Sequence, residues 1–94
     1  MAFREVHSPM SIQMARTFIT VALDEGKSMS EYGQKTGLPQ STISRHLLDL
    51  GERNRKKEPG LNLVVSQRDP EDFRRWTYRL TPKGRDLIQR LLSN

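Results

Sequence analysis

Apolar residues along this chain follow two periodicities, and the switch between them divides it. Up to about residue 53 they recur every three or four positions, as a helix requires, and from about residue 61 to residue 80 they alternate. Helical spacing then returns to the end. Ser8 and Pro9 read as an N-cap and first-turn residue, and Ile12, Ala15, Phe18, Ile19 and Ala22 follow as one stripe. Gly26 stops that first helix, which ends at about Glu25. Ser28 and Glu31 have capping-box spacing and open a short second helix that Gly37 ends. A third begins near Pro39 or Gln40, runs to about Arg53, and buries Ile43, Leu47 and Leu50. A charged connector, Asn54 to Gly60, carries Arg55-Lys56-Lys57. Strands are expected from Leu61 to Arg68 and from Phe73 to Leu80, with Asp69-Pro70-Glu71-Asp72 as the turn. A last helix covers about Pro82 to Leu92, with Leu87, Ile88, Leu91 and Leu92 on its apolar side.

The second strand carries the most information. Arg75, Thr77 and Arg79 fall on one face at period two, and Trp76, Tyr78 and Leu80 on the other. The alternation assigns Trp76 to the core with Tyr78 and Leu80, in preference to an exposed platform for bases. Thr81 is placed to cap a helix whose first residue is Pro82, where the fixed φ of proline suits the position. A basic strand running into a helix is the wing of a winged helix.

A helix-turn-helix lies upstream, at residues 29–48. Gly33 falls mid-helix, where a small residue lets the next helix cross closely, and Gly37 supplies the sharp turn at positive φ. Leu38 plugs the core after the turn, and Ile43 packs the third helix back onto the second. The exposed face of that third helix is expected to be Gln40, Ser41, Thr42, Ser44 and Arg45, then Asp49. All but Asp49 are hydrogen-bond donors, and residues 39–44 carry no charge. Gln suits adenine, Arg suits guanine, and Ser or Thr suits base edges or phosphate.

The charge distribution agrees. The net charge is +5, with 16 cations and 11 anions. Residues 1–44 hold four of each, so the whole excess lies from Arg45 onward, a footprint for a polyanion. Other chemistries are thinly represented. There is no cysteine, hence no disulfide or thiolate site, and His7 and His46 have no metal-spaced partner. No glycine-rich phosphate loop is present, and the serines read as caps and polar faces, so neither enzyme chemistry, a metal nor a cofactor is expected. No apolar run spans a membrane and no signal-peptide pattern opens the chain, which suggests a cytoplasmic protein. The low apolar content (34%) makes for a thin core that a partner subunit would help to bury.

Two segments, Leu38-Pro-Gln-Ser-Thr-Ile-Ser-Arg-His-Leu47 and Asp69-Pro-Glu-Asp-Phe-Arg-Arg-Trp-Thr-Tyr-Arg-Leu-Thr-Pro-Lys-Gly84, resemble the MarR family of winged-helix regulators. The family's wing has an Asp-x-Arg, an alternating strand and Leu-Thr-x-x-Gly, matched here by Asp72, Arg74, Leu80, Thr81 and Gly84. The resemblance implies that Gln40, Ser41, Thr42, Ser44 and Arg45 enter the major groove and that Arg74 reaches the minor groove. It also implies that Asp72 orients Arg74. Arg68 and Arg75 flank the turn and join the expected DNA contacts. Thr36 departs from the apolar residue usual at its position. The chain starts near the family's second helix and stops soon after the wing, so the long dimer helices and ligand pocket are expected to be absent or minimal, and no small-molecule effector is expected. The expectation is a single domain over residues 1–94, mainly α with a small β-hairpin: a winged helix-turn-helix of three-helix core, wing and C-terminal helix. Its expected role is sequence-specific binding of double-stranded DNA in transcription regulation, as a homodimer through the terminal helices. The alternative is a winged helix that docks onto a polymerase or replication protein.

Overall fold

A computed structural model describes residues 11–52 and 59–93. It shows α1 (Ile12–Leu23), α2 (Met29–Thr36), α3 (Gln40–Leu50), β1 (Val64–Arg68), β2 (Trp76–Leu80) and α4 (Pro82–Ser93). This is the expected winged helix: a three-helix core, an antiparallel hairpin and a closing helix. The pairing runs from Val64 opposite Leu80 to Arg68 opposite Trp76. Lys27 adds a single bridge to Tyr78, so β2 is flanked on both sides.

Local signals held where they were chemical. Ser28 and Glu31 form the capping box, each side chain accepting the other's backbone N–H. Such a cap stabilises a helix by about 1 kcal/mol, which matters for one of only 8 residues. Gly37 is left-handed at φ +74° and its N–H returns to the Gly33 carbonyl. Thr81 caps α4 by accepting from the Gly84 N–H at 3.0 Å, and donates its own proton to the Asn62 carbonyl at 2.7 Å. Gly84 itself is dictated by contact, since a β-carbon there would lie 2.2 Å from the Leu63 carbonyl oxygen.

Several boundaries and faces differ from expectation. Ser11 caps α1 by accepting from the Met14 N–H; Ser8 and Pro9, the expected cap and first-turn residue, lie outside the described residues. The buried side of α1 is Met14, Ala15, Thr17, Phe18 and Val21. Of the expected stripe, Ala15 and Phe18 are buried, whereas Ile12 is 84% exposed and Ile19 is also exposed. The helix carries two apolar rows, and periodicity alone could not choose which one α2 and α3 would cover. Arg53 and the connector's Arg55-Lys56-Lys57 lie outside the described residues, and α3 ends at Leu50. The strands are three residues shorter at their outer or leading ends, and residues 69–75 form the tip. There the Asp69 N–H reaches the Arg75 carbonyl and the Arg75 N–H reaches that of Asp72. Leu92 on α4 is exposed, and Leu87, Ile88 and Leu91 are half-buried.

Trp76 is the clearest correction. It keeps its phase with Tyr78 and Leu80, yet it is 45% exposed while Leu80 is buried. The hairpin outruns the helical body, so the face that packs at its base meets solvent at its tip. Trp76 finds a cation instead, with the Arg68 guanidinium 4.5 Å from its ring centre. The expected cationic face is interrupted too, because Thr77 is buried and donates to the Gln67 carbonyl.

The core comprises the α1 residues Met14, Ala15, Phe18 and Val21, then Tyr32, Ile43, Leu47, Leu50, Leu63, Val64 and Leu80. Its polar members are satisfied. The Thr36 hydroxyl donates to the Tyr32 carbonyl at 2.8 Å and accepts from the Leu38 N–H at 3.2 Å, which is how a threonine fits an apolar position. His46 is buried, with Nδ1 2.8 Å from the Thr17 hydroxyl. It packs α3 onto α1, and burial holds its pKa below the ordinary value.

Candidate nucleic-acid interface

The third helix presents its first two turns outward. Gln40, Ser41 and Arg45 are exposed, and Thr42 and Ser44 are half-buried. Pro39 precedes the helix and no side chain caps it. The earliest backbone N–H groups are therefore left to an outside acceptor such as phosphate. One turn further, Leu48 rather than Asp49 is the exposed residue, at 45%. Asp49 is half-buried on the same helix as His46, whose pKa its charge raises against the effect of burial. Leu48, Ser44, Val65 and Ser66 line a cleft of about 490 Å³ between α3 and the hairpin.

The wing is held at its base by three residues, Tyr32, Glu25 and Glu31, whose contacts with it the sequence did not show. The buried Tyr32 hydroxyl donates to the Asp24 carbonyl at 2.8 Å, lies 3.4 Å from that of Tyr78, and accepts from the Lys27 N–H at 3.2 Å. Burial pushes its pKa up to about 12. Its ring meets Tyr78 edge-on, with centroids 6.4 Å apart. Glu25 accepts the Leu80 N–H at 2.9 Å and forks onto Arg85 at 3.1 and 3.2 Å, joining the end of α1 to β2 and α4. Glu31, already in its capping box, also pairs with Arg75. The Ser28 N–H, then the Ser28 hydroxyl and Arg75, hold its pKa below the usual carboxylate range.

The expected wing arginines therefore divide. Arg75 is half-buried between Glu31 and Asp69, 3.7 Å away, and ties the wing to the helix-turn-helix. Arg68 stacks on Trp76 and donates to the Phe73 carbonyl, closing the tip. Arg74 alone of the three extends outward, with 96% of its side chain exposed. Asp72 accepts the Arg74 backbone N–H at 3.0 Å, and the same oxygen lies 3.7 Å from Arg74 Nε. Asp69 does similar work, accepting the Glu71 N–H at 2.8 Å. Two of the three acidic groups at the tip thus shape the turn. Phe73, beside Arg74, is 71% exposed. Among the described residues no cluster of three or more His, Cys, Asp or Glu could hold a metal, and no helix is long and apolar enough to cross a membrane.

No protein-family model and no curated protein sequence matches the chain. Solved structures do. A MarR-like transcriptional regulator from Thermotoga maritima is 29% identical, with a TM-score of 0.76 over 96% of this chain and 58% of that one. PcaV of Streptomyces coelicolor, a transcriptional regulator seen with its natural ligand, is 27% identical, with a TM-score of 0.72 over 89% of this chain and 55% of that one. FabT of Streptococcus pneumoniae, in complex with DNA, is 25% identical, with a TM-score of 0.71 over 90% and 53%. The fold is that of the MarR-like winged-helix regulators, and this chain spans a little over half the length of these relatives.

Proposed function

We propose that this chain binds double-stranded DNA sequence-specifically and regulates transcription, in the cytoplasm, with α3 in the major groove and the wing near the minor groove. The observation that carries the reading is the start of α3, where Gln40, Ser41 and Arg45 stand exposed on an uncapped helix end. Ser44 and Thr42 lie at the edge of that face. Such short or planar donors match base edges, and the free N–H groups match phosphate. Two of the structural relatives are transcription regulators, and a third, FabT, is seen on DNA. In the wing, Arg74 is the contact residue, while Arg68 and Arg75 support it from behind.

The chain acts as a homodimer on two half-sites about one helical turn apart. Support comes from the row that the core leaves uncovered on α1, Ile12, Ile19 and Leu23, together with exposed Leu92 on α4. A single apolar side chain on a surface is ordinary, but a repeated row on one helix suits burial against a second copy. One observation favours the alternative of a protein-docking module: the cleft beside α3 exposes Leu48 and Val65. It includes Ser44 of the donor-rich face next to it.

Selection of duplexes from a random library, followed by gel shifts at two salt concentrations and sedimentation of the complex, tests this reading. The expected result is an enriched two-fold-symmetric site, affinity that falls with salt, and two chains per site. Recovery of no duplex above background would overturn it.

A further inference from the structure

Phe73 is the one large apolar side chain at the wing tip that neither the core nor a cation accounts for. It is 71% exposed, against 45% for Trp76, whose ring carries the Arg68 guanidinium. Its backbone is nevertheless fixed. Arg68 donates to its carbonyl, the Asp72 carboxylate holds the next N–H at 3.0 Å, and the Arg75 N–H bonds the Asp72 carbonyl at 2.9 Å. Two side chains and one backbone hydrogen bond of the turn therefore hold a phenyl ring out to solvent, immediately beside the outstretched Arg74. An apolar tip next to an exposed cation is complementary to the minor groove. There the sugars form apolar walls, and the phosphates supply a negative rim.

We propose that Phe73 is a wedge that the wing inserts into the minor groove of duplex DNA, where it partly unstacks one base step beside the Arg74 contact. The proposal rests on the reading that α3 and the wing bind duplex DNA, and goes further by assigning a deformation. Burial of the ring offsets the loss of stacking, and the rigid tip avoids an ordering cost on insertion. A flexible pyrimidine–purine step under the wing is the preferred target, because it unstacks most easily.

The test uses the selected duplex with 2-aminopurine placed at successive positions under the wing. Wild-type protein should raise the emission at one step. Phe73→Ala should abolish that rise and bind about tenfold more weakly, a loss typical of a base contact. Phe73→Leu should keep most of both. The exposed position makes folding of the variants straightforward to confirm by an unchanged melting curve. Wild-type binding with unchanged emission at every position would overturn the wedge and leave the DNA-binding reading standing. So would a Phe73→Ala variant with unaltered affinity and emission but an altered oligomeric state, which would assign the ring to a protein contact. Failure of the wild type to bind any duplex would overturn both.

Discussion

The two ends of the wing are built on opposite terms. At the base the polar groups turn inward: Tyr32 bonds three backbone groups, Glu25 joins three elements, and Gly84 lets α4 come to rest on Leu63. At the tip Phe73 and Arg74 stand in solvent on a backbone that is itself well bonded. On the proposed function, the contrast teaches how this fold would present a probe. Stability is concentrated where the hairpin leaves the helices, and the outer residues are free to be chosen for a partner. Changes at the base should therefore be read in folding, and changes at the tip in binding.

The largest effect is expected from Gly84→Ala. The added carbon meets a backbone oxygen at 2.2 Å, and no flexible side chain can move aside. A loss of about 3 kcal/mol or more in urea unfolding is expected, the range for a backbone collision in a packed core. An unchanged midpoint would show that α4 is not anchored on Leu63. Tyr32→Phe comes next. It strands the Lys27 N–H and the Asp24 carbonyl, at about 2 kcal/mol. Its DNA affinity, measured well below the midpoint, should stay within about twofold of wild type, since less than 0.5 kcal/mol is involved. A larger fall would mean that base and tip are coupled.

Binding variants sharpen the other side of the comparison. Arg45→Ala on α3 should cost about 1–3 kcal/mol at one base position and relax the preference there. Arg74→Ala should instead weaken most sequences alike and lower the salt slope by about 1, with no change in stability. Asp72→Ala should also weaken binding although it removes a negative charge, because it releases the Arg74 N–H and side chain. Tighter binding by that variant at every salt concentration would reduce Asp72 to a repulsive charge. The smallest effect concerns pH. His46 is held neutral by burial, so its folded pKa lies below the unfolded one. As pH falls through the ordinary histidine range the unfolded chain takes up the proton first, and stability declines. Replacement of His46 by Gln should flatten that decline in melting temperature between neutral pH and pH 5, without altering the salt dependence set by the wing.

What the sequence determined by itself is local in its physics. The Ser28–Glu31 capping box, the left-handed Gly37 and the Thr81–Pro82 helix start each need only neighbouring residues, and each was legible. So was the face of Gln40, Ser41 and Arg45, because a helix start plus its buried row at Ile43 and Leu47 fixes what points away. Only the tertiary structure decided which of two apolar rows on α1 faces inward, since either satisfies the same period. It alone decided that Trp76 leaves the core, because strand alternation fixes a face but not where the underlying body ends. The division of labour among the arginines was equally hidden. Arg75 meets Glu31 across 44 residues, Arg85 meets Glu25 across 60, and Tyr32 meets Tyr78 across 46. Pairing over such separations is set by how the helices and hairpin stack, a property of the packed chain that no local spacing encodes.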